Sequence, residues 1–168
     1  MDRRTATEYK CVKEKIATRQ RQNWIYCVAP CSIFGKLEGL KTLWGLAKEE
    51  ELKLDELLLA ESKLGQTALH MAAQNNHIEI LEKLWAWTDV WQLNTNALKK
   101  KFLLAKDKNW YTVWHQAACC GKLEALETLW SSAKEVELNL DELLLAGTEQ
   151  GQNCFAHCST EKSYKKIT

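Results

Sequence analysis

The sequence has 168 residues, of which 46% are hydrophobic and 27% charged, and this is enough apolar material for one domain or a short repeat array. Its formal net charge of +1 gives no strong field that would attract nucleic acid or an acidic membrane. One proline and seven glycines argue against a turn-rich all-β fold. No run approaches the roughly 18 apolar residues of a membrane span.

The first segment, residues 1–22, is a basic leader. Tyr9, Val12 and Ile16 recur at helical spacing, which predicts a helical cap over the first unit. The segment could bind nucleic acid or an import receptor, although its mixed charges are more typical of a solvated helix face. It lacks the apolar core of a secretory signal, and the seven cysteines of the chain are an odd number. We therefore expect a reducing cytoplasmic compartment, with the nucleus as an alternative.

From residue 23 onwards the chain repeats. After a shift of 86 positions, residues 47–60 match 133–146 at 12 of 14 positions, and residues 35–44 match 121–130 at 8 of 10. A more diverged unit lies between these copies, since Trp44, Trp85 and Trp130 are spaced by 41 and then 45 positions. The pattern predicts a repeat array over 23–160, followed by a C-terminal tail. The units and the tail are 23–64, 65–109, 110–150, the half-unit 151–160 and the tail 161–168.

Each unit begins with a polar turn and continues into a short helix of small apolar residues. The turns are 61–66, 106–111 and 147–152, and the helices are 68–73 and 113–118. Thr67 and Thr112 precede these helices, where a hydroxyl can accept an otherwise unpaired backbone N–H.

A second, amphipathic helix follows after Gly35, Asn76 or Gly121, residue types that readily adopt positive φ. A third segment, 54–60 and again 140–146, predicts an extra short helix capped by Asp55 or Asp141.

These segments resemble the ankyrin repeat, most clearly at 66–73 with 77–84 and at 111–118 with 121–129. The period of 41–45 exceeds the usual one of about 33 residues, and we assign the insertion to the third helix. The resemblance implies an all-α solenoid of stacked helix pairs with short polar fingers. It also implies a non-enzymatic scaffold that binds a partner protein through its finger tips and first-helix face. The small size further resembles viral ankyrin proteins similar to inhibitors of NF-κB, which would sequester a transcription factor.

The departures from the repeat motif are local. Trp24 and Trp110 stand where other units have glycine, so we expect Asn23 and Asn109 to adopt the strained turn conformation. Pro30 is expected in the first turn of its helix, where proline is tolerated. Ala29 and Ala156 replace the motif histidine, as capping units would allow.

The resemblance places candidate partner-binding residues at the tips and on the first helices. At the finger tips they are Lys63, Gln66, Lys106, Lys108, Trp110, Tyr111, Gln150 and Gln152. On the first-helix face they are Met71, Gln74, Asn75, Gln116 and Cys119. An exposed Trp110 beside Tyr111 would be a binding hot spot, although the indole could instead fold onto the next finger.

Other recurring residues predict structural roles. His70 and His115 each follow a threonine by three positions, so each imidazole should bind its own Thr67 or Thr112 and the neighbouring finger's backbone. The three equivalent tryptophans named above, Trp44, Trp85 and Trp130, should form a buried ladder between second helices.

Two chemical alternatives remain open from the residues alone. Cys154, His157 and Cys158, together with Cys27 and Cys31, have zinc-ligand types, but the repeat register places the cysteines at small buried positions. The register also puts the two cysteine pairs at opposite ends of the array.

Cys119 lies four residues after His115, which would suit a thiol nucleophile beside a base, but no third group orients the pair. Lys99, Lys100 and Lys101 could form an import or phosphate patch, or a solvated turn. We expect no catalytic residue, metal, cofactor, small-molecule substrate, nucleic acid or membrane. The motifs specify neither the partner's identity nor an oligomeric state.

Overall fold

The computed structural model describes residues 21–49, 51–89 and 95–139, and within these ranges it contains eight α-helices and no β-strand. The all-α prediction is confirmed. In chain order the helices are α1 (Arg21–Phe34), α2 (Leu37–Glu49), α3 (Leu54–Leu58), α4 (Ala68–Gln74), α5 (Ile78–Thr88), α6 (Thr95–Leu104), α7 (Val113–Cys119) and α8 (Leu123–Glu135). None of these helices is long and apolar enough to cross a membrane.

The helices stack as antiparallel pairs, α1 with α2, α4 with α5 and α7 with α8. The first helices α1, α4 and α7 pack side by side, and α5 packs on α8. Ala72, Ala73 and Ala117 are fully buried, because only small side chains allow neighbouring first helices to approach closely. The second helices contribute larger apolar side chains, of which Leu40, Ile80 and Leu129 are almost completely buried.

The turns between paired helices also connect neighbouring units. Gly35, Asn76 and Gly121 have φ of 67°, 59° and 63°, as predicted from their residue types. The Asn76 side chain accepts the backbone N–H of Ala125 at 3.2 Å and donates to Glu124 at 2.8 Å. It therefore satisfies the first turn of α8, a helix of the next unit, where backbone N–H groups lack partners.

The opening unit differs from the prediction because its first helix begins as early as Arg21. Trp24 lies inside α1 and is 4% exposed, with its ring centroid 6.4 Å from that of Trp44, so it does not belong to a finger. Asn23 is likewise helical, and Pro30 lies in the interior of α1 instead of its first turn. The burial of a large indole against Trp44 accounts for the difference from the repeat register.

The predicted tryptophan ladder is wrong. Trp44 stacks on Trp87, with ring centroids 4.2 Å apart and planes 5° apart. Trp85 instead donates its indole N–H to Glu135 at 2.8 Å, and Trp130 is only partly buried, with the Lys134 ammonium 5.5 Å from its ring centroid. Equivalent residues on packed helices are separated by about the 8–10 Å between helix axes, which exceeds the usual 4.5–7 Å between interacting rings.

The third helices fill the space between units. Leu54, Leu57 and Leu58 of α3 are buried, but Lys53 is the N-terminal capping residue and makes no side-chain cap. Asp55 lies one position inside the first turn, so its predicted capping role is wrong. The equivalent segment around Asp141 is outside the described residues.

The lysine run does not form the predicted solvated turn, because it lies within α6. Lys99 is 7% exposed, forms an ion pair with Asp89 and lies 3.9 Å from Glu135. Its ammonium is also 4.8 Å from the Trp85 ring centroid, a cation–π distance. Lys99 thus joins α5, α6 and α8.

Candidate interaction surface

The two described fingers, residues 61–66 (the first finger) and 106–111 (the second finger), fold by the same hydrogen bonds. In the first finger, the Ser62 N–H donates to the Gln66 carbonyl and the Gly65 N–H donates to the Ser62 carbonyl, both at 2.9 Å. The Ser62 hydroxyl also accepts the Gln66 N–H at 3.2 Å. A short side chain that binds its own backbone favours this kind of tight turn.

In the second finger, an aspartate takes the place of the serine. The Asp107 N–H donates to the Tyr111 carbonyl and the Trp110 N–H donates to the Asp107 carbonyl, both at 2.9 Å. One carboxylate oxygen of Asp107 accepts the N–H groups of Asn109 at 2.8 Å and Tyr111 at 2.9 Å. The other accepts the Gln116 amide at 3.0 Å. Asp107 is buried, and both of its oxygens act inside the finger.

The strained residue of the second finger is Trp110 and not Asn109, contrary to the prediction. Trp110 has φ of 65°, close to the 75° of the equivalent Gly65. Left-handed backbone is uncommon for a bulky residue, because Cβ approaches the following carbonyl. The side chain is 47% exposed, and the Lys106 ammonium lies 5.0 Å from its ring centroid. The hydrogen bonds of the turn fix the conformation, so the residue at this position must adopt it.

The two fingers are joined to each other. The Lys108 N–H donates to the Leu64 carbonyl at 3.0 Å, so the second finger packs against the first. A Cβ on Gly65 would lie 2.7 Å from the Lys108 nitrogen, a distance that real contacts do not reach. Leu64 is 61% exposed beside this contact. Leu64 was not among the predicted binding residues, although the sequence has a signal for it, an apolar residue at the tip position where the second finger has a polar Asn109.

A threonine–histidine pair connects the base of the first finger to the second finger. The Thr67 side chain accepts the backbone N–H of His70, and the Thr67 N–H donates to His70 Nδ1 at 3.3 Å. Because Nδ1 accepts, the ring proton lies on Nε2, which donates to the Tyr111 carbonyl at 3.2 Å. Burial lowers the pKa of His70 below its ordinary value, with an opposing contribution from the Tyr111 carbonyl. The predicted bonds to Thr67 and to the neighbouring finger are confirmed.

The same pair recurs in the next unit. The Thr112 N–H donates to His115 Nδ1 at 3.2 Å, and Thr112 Oγ1 lies 2.8 Å from the same nitrogen. Tyr111 stacks on the His115 ring at 5.8 Å between centroids. The finger that His115 was predicted to bind, residues 147–152, is outside the described residues.

Comparison with known proteins identifies the repeat. A family model described as ankyrin repeats, three copies, matches residues 30–142, more than half of the chain. This chain belongs to the ankyrin-repeat family. It is also similar to the ankyrin-repeat protein Yar1 in a solved structure of the yeast ribosomal protein Rps3 in complex with its chaperone Yar1. The identity is 24% and the TM-score 0.60, with 82% of this chain and 87% of that chain covered.

The structural likeness shows the fold, and the predicted ankyrin solenoid is confirmed. The comparison with curated proteins gave no match. The finer resemblance to viral inhibitors of NF-κB is not shown by either finding and stays a prediction.

The ankyrin first helices expose fewer of the predicted binding residues than the sequence analysis expected. Met71 is 5% exposed and Gln116 is 8% exposed, so neither offers a side chain to a partner. Gln116 turns inward because its amide binds Asp107, and Met71 fills the core. Gln74 and Cys119 are half-buried, and Asn75 is exposed at the end of α4.

The tips of the ankyrin fingers bring the remaining candidates together. Lys63, Lys106 and Lys108 are exposed, whereas Gln66 and Tyr111 are half-buried. Gln150 and Gln152 lie outside the described residues, so their placement stays a prediction.

Two of the cysteines considered as zinc ligands, Cys27 and Cys31, lie in the described residues. Cys31 is buried and Cys27 half-buried on α1, and burial raises the pKa of the Cys31 thiol. Within the described ranges no group of three or more His, Cys, Asp or Glu side chains could hold a metal ion. Cys154, His157 and Cys158 lie beyond those ranges.

Proposed function

We propose that this ankyrin-repeat protein is a non-enzymatic scaffold that binds a partner protein through the exposed tips of its fingers. The proposed contact area, called the finger surface below, consists of the exposed side chains of Lys63, Leu64, Lys106, Lys108 and Trp110. The half-buried side chains around it, predicted from the sequence, would form its rim. They are Gln66 and Tyr111; the predicted candidates Gln74, Asn75 and Cys119, at the far ends of α4 and α7, stay predictions outside this surface.

The observation that supports the proposal most strongly is Trp110. At φ of 65° a glycine would be the less strained choice, and the first finger has one at the equivalent position. Holding a non-glycine residue there costs about 1–2 kcal/mol. The indole nevertheless remains 47% exposed, so its burial within the chain is incomplete. Strain that supports a half-exposed tryptophan is typical of a functional position, and tryptophan is enriched among binding hot spots.

The fingers are also held in place before any partner arrives. The Lys108–Leu64 backbone bond joins the tips, and His70 joins the base of the first finger to the second. A prepared surface loses little conformational entropy on binding, so more of the contact free energy contributes to affinity.

A protein is the class of partner that we propose. Yar1, whose fold this chain shares, is found in complex with the ribosomal protein Rps3. We extend only the class of ligand to this chain, and not that partner. The non-enzymatic part of the proposal is supported by His115, which is fully buried and binds Thr112 through Nδ1. This position favours a structural role over that of a base for Cys119.

The test is affinity capture from a cell lysate with three forms of the full chain: wild type, Trp110→Gly and Leu123→Ser. Leu123 is a matched control, because it is 67% exposed but begins α8 at the end of the unit away from the fingers. Loss of a hot-spot indole should lower recovery of the specific partner about tenfold, while Leu123→Ser should leave it unchanged. Equal recovery by all three forms, each shown to be folded by circular dichroism, would move the interface away from the finger surface.

A further inference from the structure

The finger surface has positive charge that the described part of the protein does not neutralise. The ammonium groups of Lys63 and Lys108 form no ion pair with any other described residue. The nearest carboxylate in the second finger, that of Asp107, is buried, and its oxygens accept hydrogen bonds from within the unit. Glu61, exposed at the start of the first finger, is the remaining acid in the two fingers. The lysines of the two fingers therefore outnumber the accessible acids.

Exposed apolar side chains belong to the same two fingers as these lysines. Leu64 follows Lys63 directly and is 61% exposed, and Trp110 lies two positions after Lys108 and is 47% exposed. The hydrogen bond from the Lys108 N–H to the Leu64 carbonyl, at 3.0 Å, holds the second finger against the first. Exposed leucine and tryptophan within a cationic surface are characteristic of a site for a ligand that is both acidic and apolar.

We infer that the finger surface binds an acidic segment of the partner protein that also contains an apolar side chain. Asp or Glu residues of that segment would pair with Lys63 and Lys108, and the apolar side chain would pack against Leu64 and Trp110. This inference rests on the proposed function and specifies the chemistry of its partner.

The observations favour a protein segment over nucleic acid. An aliphatic side chain such as Leu64 suits an apolar amino acid better than a base, which prefers aromatic stacking. The two finger lysines that lack an ion pair within the described ranges, on a chain of net charge +1, also fall short of the roughly 6–10 phosphate contacts that make nucleic-acid binding strong.

The experiment selects peptides on the intact protein. A phage library of random dodecapeptides is panned against wild type, and the enriched peptides are sequenced and their affinities measured at two salt concentrations. Each peptide is then tested on Lys63→Gln/Lys108→Gln, on Trp110→Gly and on the control Lys41→Gln/Lys48→Gln. The control removes the same charge from exposed lysines of α2. A single-stranded oligo-thymidine probe is included to test nucleic acid.

We expect the enriched peptides to contain Asp or Glu within a few positions of Trp, Phe or Leu. Their affinity should fall about tenfold in the finger double variant and in Trp110→Gly, and should weaken with salt. The α2 control should bind as wild type does. Neutral or basic enriched peptides, or equal binding to the finger double variant, would overturn the inference. Tighter binding of oligo-thymidine than of any peptide would also overturn it and assign the surface to nucleic acid.

The two proposals can fail separately. If capture from lysate depends on Trp110 but the peptides show no acidic preference, the finger surface stands and its partner is not acidic. If capture does not depend on Trp110, the finger surface itself is wrong, whatever the peptides contain.

Discussion

The two described fingers make the same turn, but the position with left-handed backbone is a glycine in the first finger and a tryptophan in the second. Gly65 and Trp110 both have left-handed backbone, at φ of 75° and 65°. At Gly65 the backbone of Lys108 excludes any Cβ, whereas at position 110 an indole fits and remains 47% exposed. The contrast shows that contact with the next unit restricts position 65 to glycine, while position 110 has room for a large side chain that stays half exposed. Each prediction below tests one part of that contrast.

The largest effect is expected for Gly65→Ala. The new Cβ would require the Lys108 backbone to move, and the alanine would also have to adopt left-handed φ. Together these should lower the free energy of unfolding by about 3 kcal/mol, measured from urea denaturation. Gly45→Ala is the control, because in the described part of the chain nothing beyond the adjoining residues and backbone of α2 lies within 4 Å of the added Cβ. It should stabilise the protein by about 0.5–1 kcal/mol. A Gly65→Ala protein as stable as wild type would contradict the packing of the two fingers.

A somewhat smaller effect is expected for Asp107→Ala. The change removes the acceptor for two backbone N–H groups and for the Gln116 amide, and should cost about 2 kcal/mol. Asp107→Ser should recover most of this loss, because Ser62 has the same role in the first finger, where its hydroxyl accepts the Gln66 N–H. If serine were no better than alanine by urea denaturation, the two fingers would not be equivalent turns.

A third effect depends on pH. Burial lowers the pKa of His70, so the unfolded chain binds a proton at this residue more readily than the folded chain. The contribution of His70 to stability is therefore complete above its ordinary pKa of 6.5 and is lost as the pH falls through and below that value. His70→Gln, which cannot titrate, should show a flatter dependence between about pH 7.5 and about pH 5.5. The same slope in both proteins would show that other groups cause the acid sensitivity.

The smallest effect on stability is expected for Trp110→Gly. Relief of left-handed strain and the greater flexibility of unfolded glycine oppose each other, so the free energy of unfolding should change by less than about 1 kcal/mol. Trp110→Ala retains the strain and should be about 1 kcal/mol less stable than Trp110→Gly. Equal stability of the alanine and glycine variants would mean that the backbone at position 110 is not strained.

Much of the fold could be predicted because the tandem copies repeat local chemistry. Thr67 and His70 form a hydrogen bond across three positions of the chain. Asn76, at the helix break, binds the start of the second helix of the next unit. The sequence register therefore located the Thr67–His70 bonds and the positive φ of Asn76, but not the hydrogen bonds of the Asn76 side chain. Helix starts at Val113 and Leu123, which follow a capping threonine and a turn glycine, could be predicted for the same reason.

The failed predictions depended on geometry between helices. Trp44 stacks on Trp87, which is not its repeat equivalent, because side-chain reach and helix spacing decide which rings meet. Lys99 is buried because acidic and aromatic partners from two other helices surround it. In the candidate site, the repeat register located Trp110 but could not show that Gln116 turns inward or that Leu64 is exposed.

The central claim is that the partner contacts the finger surface. Hydrogen–deuterium exchange of the wild-type chain, alone and with the protein recovered by affinity capture, tests it most directly. Our account predicts slower exchange in residues 61–66 and 106–111 when the partner is bound, with little change at the turns around Gly35, Asn76 and Gly121. Protection at those turns, with unchanged exchange in both fingers, would contradict it.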